Sequence, residues 1–220
     1  MAEHTNGFYK YSERENLMPQ EEILDFDRKK SNLTIAVPDE SSFQECRIPL
    51  VPQAVGLLVA NGHTVIIENN AGKSAHFFND EYSEVGAQIV YSKSEAFKAD
   101  IILKVAPPGL EEIELLKSRQ TVLSSVHLTS QSRKYFEDLM TKKTTALAFE
   151  FIQDKAGTFP VIKAMSEIVG TTSIYLANEY MGNPEHGKGT ILGGFPGITP
   201  SEVVILGAGT VAEYAARAAL

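Results

Sequence analysis

The sequence predicts an α/β protein built on a mostly parallel sheet with helices on both faces. Three observations carry that expectation. Short β-branched runs recur along the chain: LTIAV at 33–37, TVIIE at 64–68, QIVY at 88–91, IILKV at 101–105, TVLSS at 121–125 and TALAFE at 145–150. Helical patterns at 52–61, 109–117 and 131–142 separate several of them, and strands alternating with helices imply parallel pairing with both faces covered. Third, VVILGAGTVAEYAAR at 203–217 is an apolar run that enters a glycine turn and becomes a helix. The expected class is thus a Rossmann-like (flavodoxin-like) parallel sheet flanked by helices, followed by a connecting helix and the start of a second Rossmann domain.

The elements follow in order. Residues 1–31 are polar and charged, with little apolar periodicity before Ile23, Leu24 and Phe26; they read as an extension, helical over 19–30, that packs on the surface or stays partly disordered. The six β-runs and their helices occupy 32–161. A longer helical pattern with Ile168, Val169, Ile174, Leu176 and Ala177 runs over 162–181, and GNPEHGKGTILGGFPGITP at 182–200 reads as a Gly/Pro-rich linker. At 201–220 come a first strand, the turn Gly207-Ala-Gly209-Thr-Val-Ala212 and a helix start. Glycines there let the backbone turn tightly and approach a pyrophosphate, and the helix N-terminus offers free N–H groups. The unit needs an acidic residue roughly 20 positions on for a ribose hydroxyl, and only eleven residues follow Gly209. A dinucleotide domain is begun and left incomplete. The alternative is a plain tight connection, with Ala212 where a third glycine often stands.

Bulk properties exclude several classes. A net charge of −8 without a basic cluster argues against nucleic acid and anionic membranes. One cysteine, Cys46, leaves no intramolecular disulfide or thiolate metal site, and the five histidines (His4, His63, His76, His127, His186) lack ligand spacing, so no metal is expected. No apolar run reaches the roughly 18 residues of a membrane span, and a polar stretch follows Met1, so a cytoplasmic protein is expected.

Ligands of open α/β sheets sit at the carboxyl ends of strands. Arg47, in ECRIPLVP, either grips a carboxylate through its fork or is a solvent-facing loop residue. Lys104, ending an apolar strand, is a snorkelling side chain or a site amine. His127, after TVLSSV, is a proton-transfer imidazole or a structural histidine. Ser166 caps a helix or touches a ligand phosphate, and Glu167 beside it reads as a first-turn carboxylate favoured by the helix dipole. His63, at a strand entry, reads as structural. There is no GxSxG, no HExxH and no carboxylate pair spaced for glycoside chemistry.

Taken together, IAVPDES, RIPLVPQAVGLLVANGHTVIIENNAG, ADIILKVAPP, SSVHL, MSEIVG and TILGGFPGITPSEVVILGAGTVAEYAA make the chain resemble the alanine dehydrogenase family over 33–220. That family shares its N-terminal fold with the α subunit of nicotinamide nucleotide transhydrogenase. The resemblance implies NAD as cofactor and a reversible reaction: L-alanine, NAD and water give pyruvate, ammonium and NADH by hydride transfer at the α-carbon. It implies Arg47 as the substrate-carboxylate residue, Lys104 as the substrate and catalytic lysine, and His127 as the catalytic histidine. It further implies Ser166, Gly207, Gly209 and Ala212 as cofactor-binding residues, and homo-oligomers assembled partly through the connecting helix.

Three departures accompany the resemblance. Val-Ala-Pro-Pro follows Lys104 where the dehydrogenases carry a lysine–glutamate pair before proline. The N-terminal extension has no counterpart in compact members. The family's catalytic aspartate and ribose-binding acid would fall beyond Leu220, so these 220 residues alone are expected to be inactive. The competing readings are a transhydrogenase α-subunit-like or saccharopine dehydrogenase-like protein, and a truncated, non-catalytic ligand-binding module.

Overall fold

The computed structural model describes residues 32–220 apart from 41, 43, 194, 195 and 198. The chain divides into Met1–Ser31 and Asn32–Leu220, and every element below belongs to the second unit. The helix expected over 19–30 lies outside the described residues.

Six strands form one parallel sheet: β1 (Thr34–Val37), β2 (Thr64–Glu68), β3 (Gln88–Val90), β4 (Ile101–Leu103), β5 (Thr121–Ser124) and β6 (Thr145–Ala148), in the order β3-β2-β1-β4-β5-β6. The α/β, Rossmann-like class is as expected. The order is the doubly wound 3-2-1-4-5-6, whereas a flavodoxin-like sheet runs 2-1-3-4-5; here β3 pairs with β2 at the edge, leaving β1 free to pair with β4. All six strands lie inside their expected windows because β-branched runs flanked by turns suit a sheet buried on both faces.

Helices α1 (Pro52–Ala60) and α2 (Asn79–Glu84) cover one face, and α3 (Lys93–Ala96), α4 (Leu110–Leu115) and α5 (Arg133–Lys142) cover the other. Alternate residues of the strands feed the two cores. Val37, Val65 and Ile67 pack with Val55 and Tyr82, while Ala36, Ile102 and Val122 pack with Phe97, Ile113 and Leu139. Sequence periodicity missed α2 and α3, which bury only Tyr82 and Ala96 respectively and are too short to display a stripe.

Beyond β6 a 3-10 turn (Phe149–Phe151) leads to the long α6 (Pro160–Gly182). Proline at its first turn starts this helix earlier than expected, so Ser166 and Glu167 lie in its interior. Neither a capping serine nor a first-turn carboxylate describes them. The last helix, α7 (Thr210–Ala219), packs on α6. The strand expected at 203 does not form: no ladder partner exists for it among the described residues, and Val204 and Leu206 are 74% and 95% exposed. A β-branched run becomes a strand only beside another strand.

The α6–α7 contact is close because residue 170 lacks a side chain. A Cβ on Gly170 would lie 2.4 Å from the Val211 carbonyl oxygen and 3.0 Å from the Ala215 nitrogen. Backbone cannot move aside as a flexible side chain can. Gly170→Ala is therefore expected to destabilise the chain by about 2 kcal/mol, although alanine is the better helix former by roughly 1 kcal/mol. Thermal unfolding followed by circular dichroism checks the sign.

Candidate functional site

In a 3-2-1-4-5-6 sheet the connections leaving β1 and β4 run to opposite faces, which opens a crevice at their carboxyl ends. The loop after β1 carries Asp39, Glu40, Glu45 and Arg47, and the chain leaving β4 carries Lys104. Lys104 has no solvent exposure. Its Nζ lies 3.2 Å from Glu40 Oε2 and 3.1 Å from Glu112 Oε1, and both carboxylate side chains are only 5% exposed. Glu112 reaches in from the first turn of α4; its Oε1 also accepts from Lys93 Nζ at 2.9 Å and its Oε2 from the Gly109 amide at 2.9 Å. Glu40 Oε1 accepts the Val105 amide at 2.6 Å, pinning the β1 loop to the end of β4. Lys93 extends the network to the Asp39 carbonyl, and Glu68, closing β2, accepts the Asp39 amide.

Burial works against the charged form of Glu112, but Lys104 beside it, the Lys93 hydrogen bond and the Gly109 amide prevail and hold its carboxyl below the ordinary value. Burial likewise opposes the charged Lys93, yet the hydrogen bond and charge of Glu112 keep that amine above its usual value. Glu68 goes the other way: burial outweighs the Asp39 amide and raises its carboxyl.

Arg47 is half exposed and carries a carboxylate already. Its Nε donates to Glu45 Oε1 at 2.7 Å and its Nη2 to Glu45 Oε2 at 2.6 Å, a fork-to-fork pair made two residues apart. The hydrogen bond from Arg47 holds the Glu45 carboxyl low against burial, and Glu45 in turn raises the guanidinium. The third nitrogen, Nη1, points to Met165 Sδ at 3.9 Å, so the β1 loop touches α6 one residue before Ser166.

His127 stands exposed just beyond β5, in the left-handed region at φ 50°. Ser125 Oγ donates to the Val105 carbonyl at 2.7 Å, tying this strand end to that of β4. One oxygen of Glu150, Oε1, accepts the Val126 and His127 amides at 2.7 and 2.9 Å. His63 accepts the Leu33 amide through Nδ1 at 3.3 Å, at the opposite pole of the sheet.

The expected cofactor residues share one cavity. A space of about 550 Å³ between α6 and the glycine turn is lined by Ser166, Ser173, Gly207, Gly209, Thr210 and Ala212, among others. Gly207 has φ 135°, a conformation that L side chains rarely adopt, and nothing lies within 4 Å of a Cβ built on Gly207 or Gly209. Gly209 caps α7 without a side-chain acceptor for the first-turn amides. Open space, a positive-φ glycine and free helix amides suit a pyrophosphate. Glu167 faces α7 instead, hydrogen-bonded to Tyr214 and raising that phenol. Among the described residues no group of three or more His, Cys, Asp or Glu is arranged to hold a metal, and no helix is long and apolar enough to cross a membrane.

Glu40, Glu45, Glu112 and Lys93 shape this crevice and Glu150 holds the turn that bears His127, and none of the five stands out in the sequence. ECR hinted at one of them, a carboxylate two residues from the arginine; the others meet their partners only through the strand order.

The Glu112 ion pairs yield a pH signature. Its folded carboxyl lies below the ordinary 4.5, so its stabilisation is complete above that value and is lost as pH falls through the depressed one. Glu112→Gln should therefore cost about 3 kcal/mol at neutral pH by leaving buried ammonium charge uncompensated. In urea unfolding, the gap from the parent chain should narrow on acidification.

Comparison with known proteins fits this arrangement. The family description "Alanine dehydrogenase/PNT, N-terminal domain" matches residues 36–169, and "Alanine dehydrogenase/PNT, C-terminal domain" matches 173–220. The chain is 38% identical over 189 residues to an alanine dehydrogenase of Methanococcus maripaludis and 34% identical over 188 residues to one of Staphylococcus saprophyticus, covering 86% of this chain and 50% of each relative. It thus spans about half the length of these relatives. A solved L-alanine dehydrogenase superposes with a TM-score of 0.81 at 37% identity, over 85% of this chain and 52% of that one. A Sinorhizobium meliloti transhydrogenase, at 22% identity, 68% and 45% coverage and a TM-score of 0.63, shares the fold. With one family description matching residues 36–169, more than half of the chain, and its companion matching 173–220, the chain belongs to the alanine dehydrogenase/PNT family.

Proposed function

We propose that this chain is the N-terminal, substrate-binding portion of an NAD-dependent alanine dehydrogenase, which interconverts L-alanine and pyruvate with release or uptake of ammonium. The observation that carries the proposal is the meeting of two sites at α6. Arg47 reaches Met165, and the adjacent Ser166 lines the cavity at the glycine turn. A small acid held by the arginine would then lie toward the cofactor side, as hydride transfer requires.

NAD, when bound, supplies the hydride acceptor. Ser166, Gly207, Gly209 and Ala212 would hold its pyrophosphate side. Arg47 would bind the substrate carboxylate, which competes with Glu45 for the guanidinium fork or shares it. His127, exposed at the end of β5, would move protons as the carbinolamine forms and collapses. Lys104 would supply positive charge beside the carbonyl oxygen. Since its ammonium is enclosed by Glu40 and Glu112, direct contact requires Glu40 to turn away; otherwise Lys104 acts by fixing the β1 loop that carries Arg47. Turnover is assigned to the full-length enzyme, in the cytoplasm, and not to these 220 residues alone.

The assembly proposed is a homo-oligomer through α6. One face of the helix meets α7 through Gly170 and Ile174, and the opposite face exposes Ile168, Val169, Tyr175, Leu176 and Tyr180. Apolar surface of this kind is the substance of subunit contacts. Val169→Glu should lower the mass read by size-exclusion chromatography with light scattering; an unchanged mass removes α6 from the interface.

The first test of activity is NADH formation from L-alanine and NAD by the full-length enzyme. His127→Ala is expected to lower kcat on the order of 100-fold or more. Arg47→Ala should instead weaken pyruvate binding about 100-fold, measured by calorimetry. Turnover with a different amino acid moves the substrate assignment, and no turnover with any returns the protein to a ligand-binding role.

A further inference from the structure

His127 is held in its uncommon backbone conformation by a single carboxylate. Glu150 lies in the 3-10 turn after β6, so the edge strand sends a charged side chain back across the end of β5. Its Oε1 takes both the Val126 and the His127 amides. Its other oxygen, Oε2, is buried and has no hydrogen-bond partner. A clamp for two amides needs only one oxygen and no charge; a glutamine carbonyl would serve. A carboxylate oxygen shut away from water without a donor is costly, and such atoms call for an explanation. The residue whose amide Oε1 holds also carries an imidazole. Burial raises the Glu150 carboxyl, but the amides of His127, Val126 and Glu150 itself, and last the charge of His127, lower it below its ordinary value.

We propose that Glu150 is a positioning residue for His127: Oε1 fixes the left-handed turn, and Oε2 accepts one imidazole N–H, so that the other ring nitrogen faces the substrate in a single tautomer. This rests on the reading of His127 as the proton relay. The chemistry needs nothing further. A neutral imidazole with one nitrogen donating to a carboxylate presents its second nitrogen as a base, and the same carboxylate stabilises the imidazolium formed when that nitrogen takes a proton. The proton on the Glu150 side stays on the ring throughout.

The test uses the chain labelled with 15N-histidine, above the titration range of imidazole, with His127→Ala to assign the signals. The parent should show two widely separated ring-nitrogen signals for His127, the pattern of one tautomer. Glu150→Gln keeps a carbonyl for the two amides but puts an NH2 group or nothing opposite the ring, so the two signals should move toward each other while the thermal midpoint changes little. Glu150→Asp, which retains the charge on a shorter arm, should restore the separation in part, and serves if the glutamine variant does not fold. In the full-length enzyme, Glu150→Gln should lower kcat about tenfold with KM for pyruvate within about twofold.

Ring signals already averaged in the parent, or unchanged in Glu150→Gln, overturn the proposal and leave Glu150 a backbone clamp. Ring signals that respond as expected while His127→Ala turns over like the parent overturn the relay reading itself. The nitrogen spectra tell the two failures apart.

Discussion

The crevice depends on one arrangement, the burial of Lys104 between Glu40 and Glu112. An ammonium removed from water is tolerable only when carboxylates meet it at hydrogen-bond distance, and each partner comes from a different part of the fold. Glu40 belongs to the loop after β1 and Glu112 to the first turn of α4, so satisfying one charge locks together the two connections that diverge at the sheet's switch point. The same carboxylates finish other tasks, with Glu40 holding the Val105 amide and Glu112 holding Lys93 and the start of its own helix. Arg47 lies a few residues further along the loop that Glu40 anchors.

Two further constraints complete the crevice. On the β5 side, Glu150 fixes the turn bearing His127. On the α6 side, absence of a side chain at Gly170 allows α7 to lie against the long helix, which brings the glycine turn over Ser166. A lysine between two carboxylates, an amide clamp and a missing methyl group thereby order three segments: the β1 loop, the turn after β5 and the glycine turn.

Much of this was legible in the sequence, and the limits have physical causes. Six β-branched runs announced six strands because sheet burial on both faces leaves no polar alternation to confuse the reading. Lys104 and His127 stood out as polar residues at the ends of apolar strands, Arg47 as a cation in the loop between the first strand and its helix, and the glycine turn by its spacing. The partners did not stand out. Glu40 meets the Val105 amide across 65 positions, and that encounter follows from β1 pairing with β4, which no local pattern records. The capping reading of Ser166 and the first-turn reading of Glu167 fail because α6 begins at Pro160, and a proline can end one segment or begin the next. The run at 203–206 has the composition of a strand without the neighbour that makes one.

Six charges of the crevice, those held in ion pairs, also cancel. Lys93 and Lys104 balance Glu40 and Glu112, and Arg47 balances Glu45, so these six groups add nothing to the chain's net charge of −8. A zwitterionic ligand can join such a set without recruiting or releasing counter-ions, and ionic strength should hardly touch its affinity. An anionic ligand must instead draw on whatever share of Arg47 it wins from Glu45. The two sides of an amino-acid/keto-acid equilibrium would then respond differently to salt, with the keto acid the more sensitive of the pair.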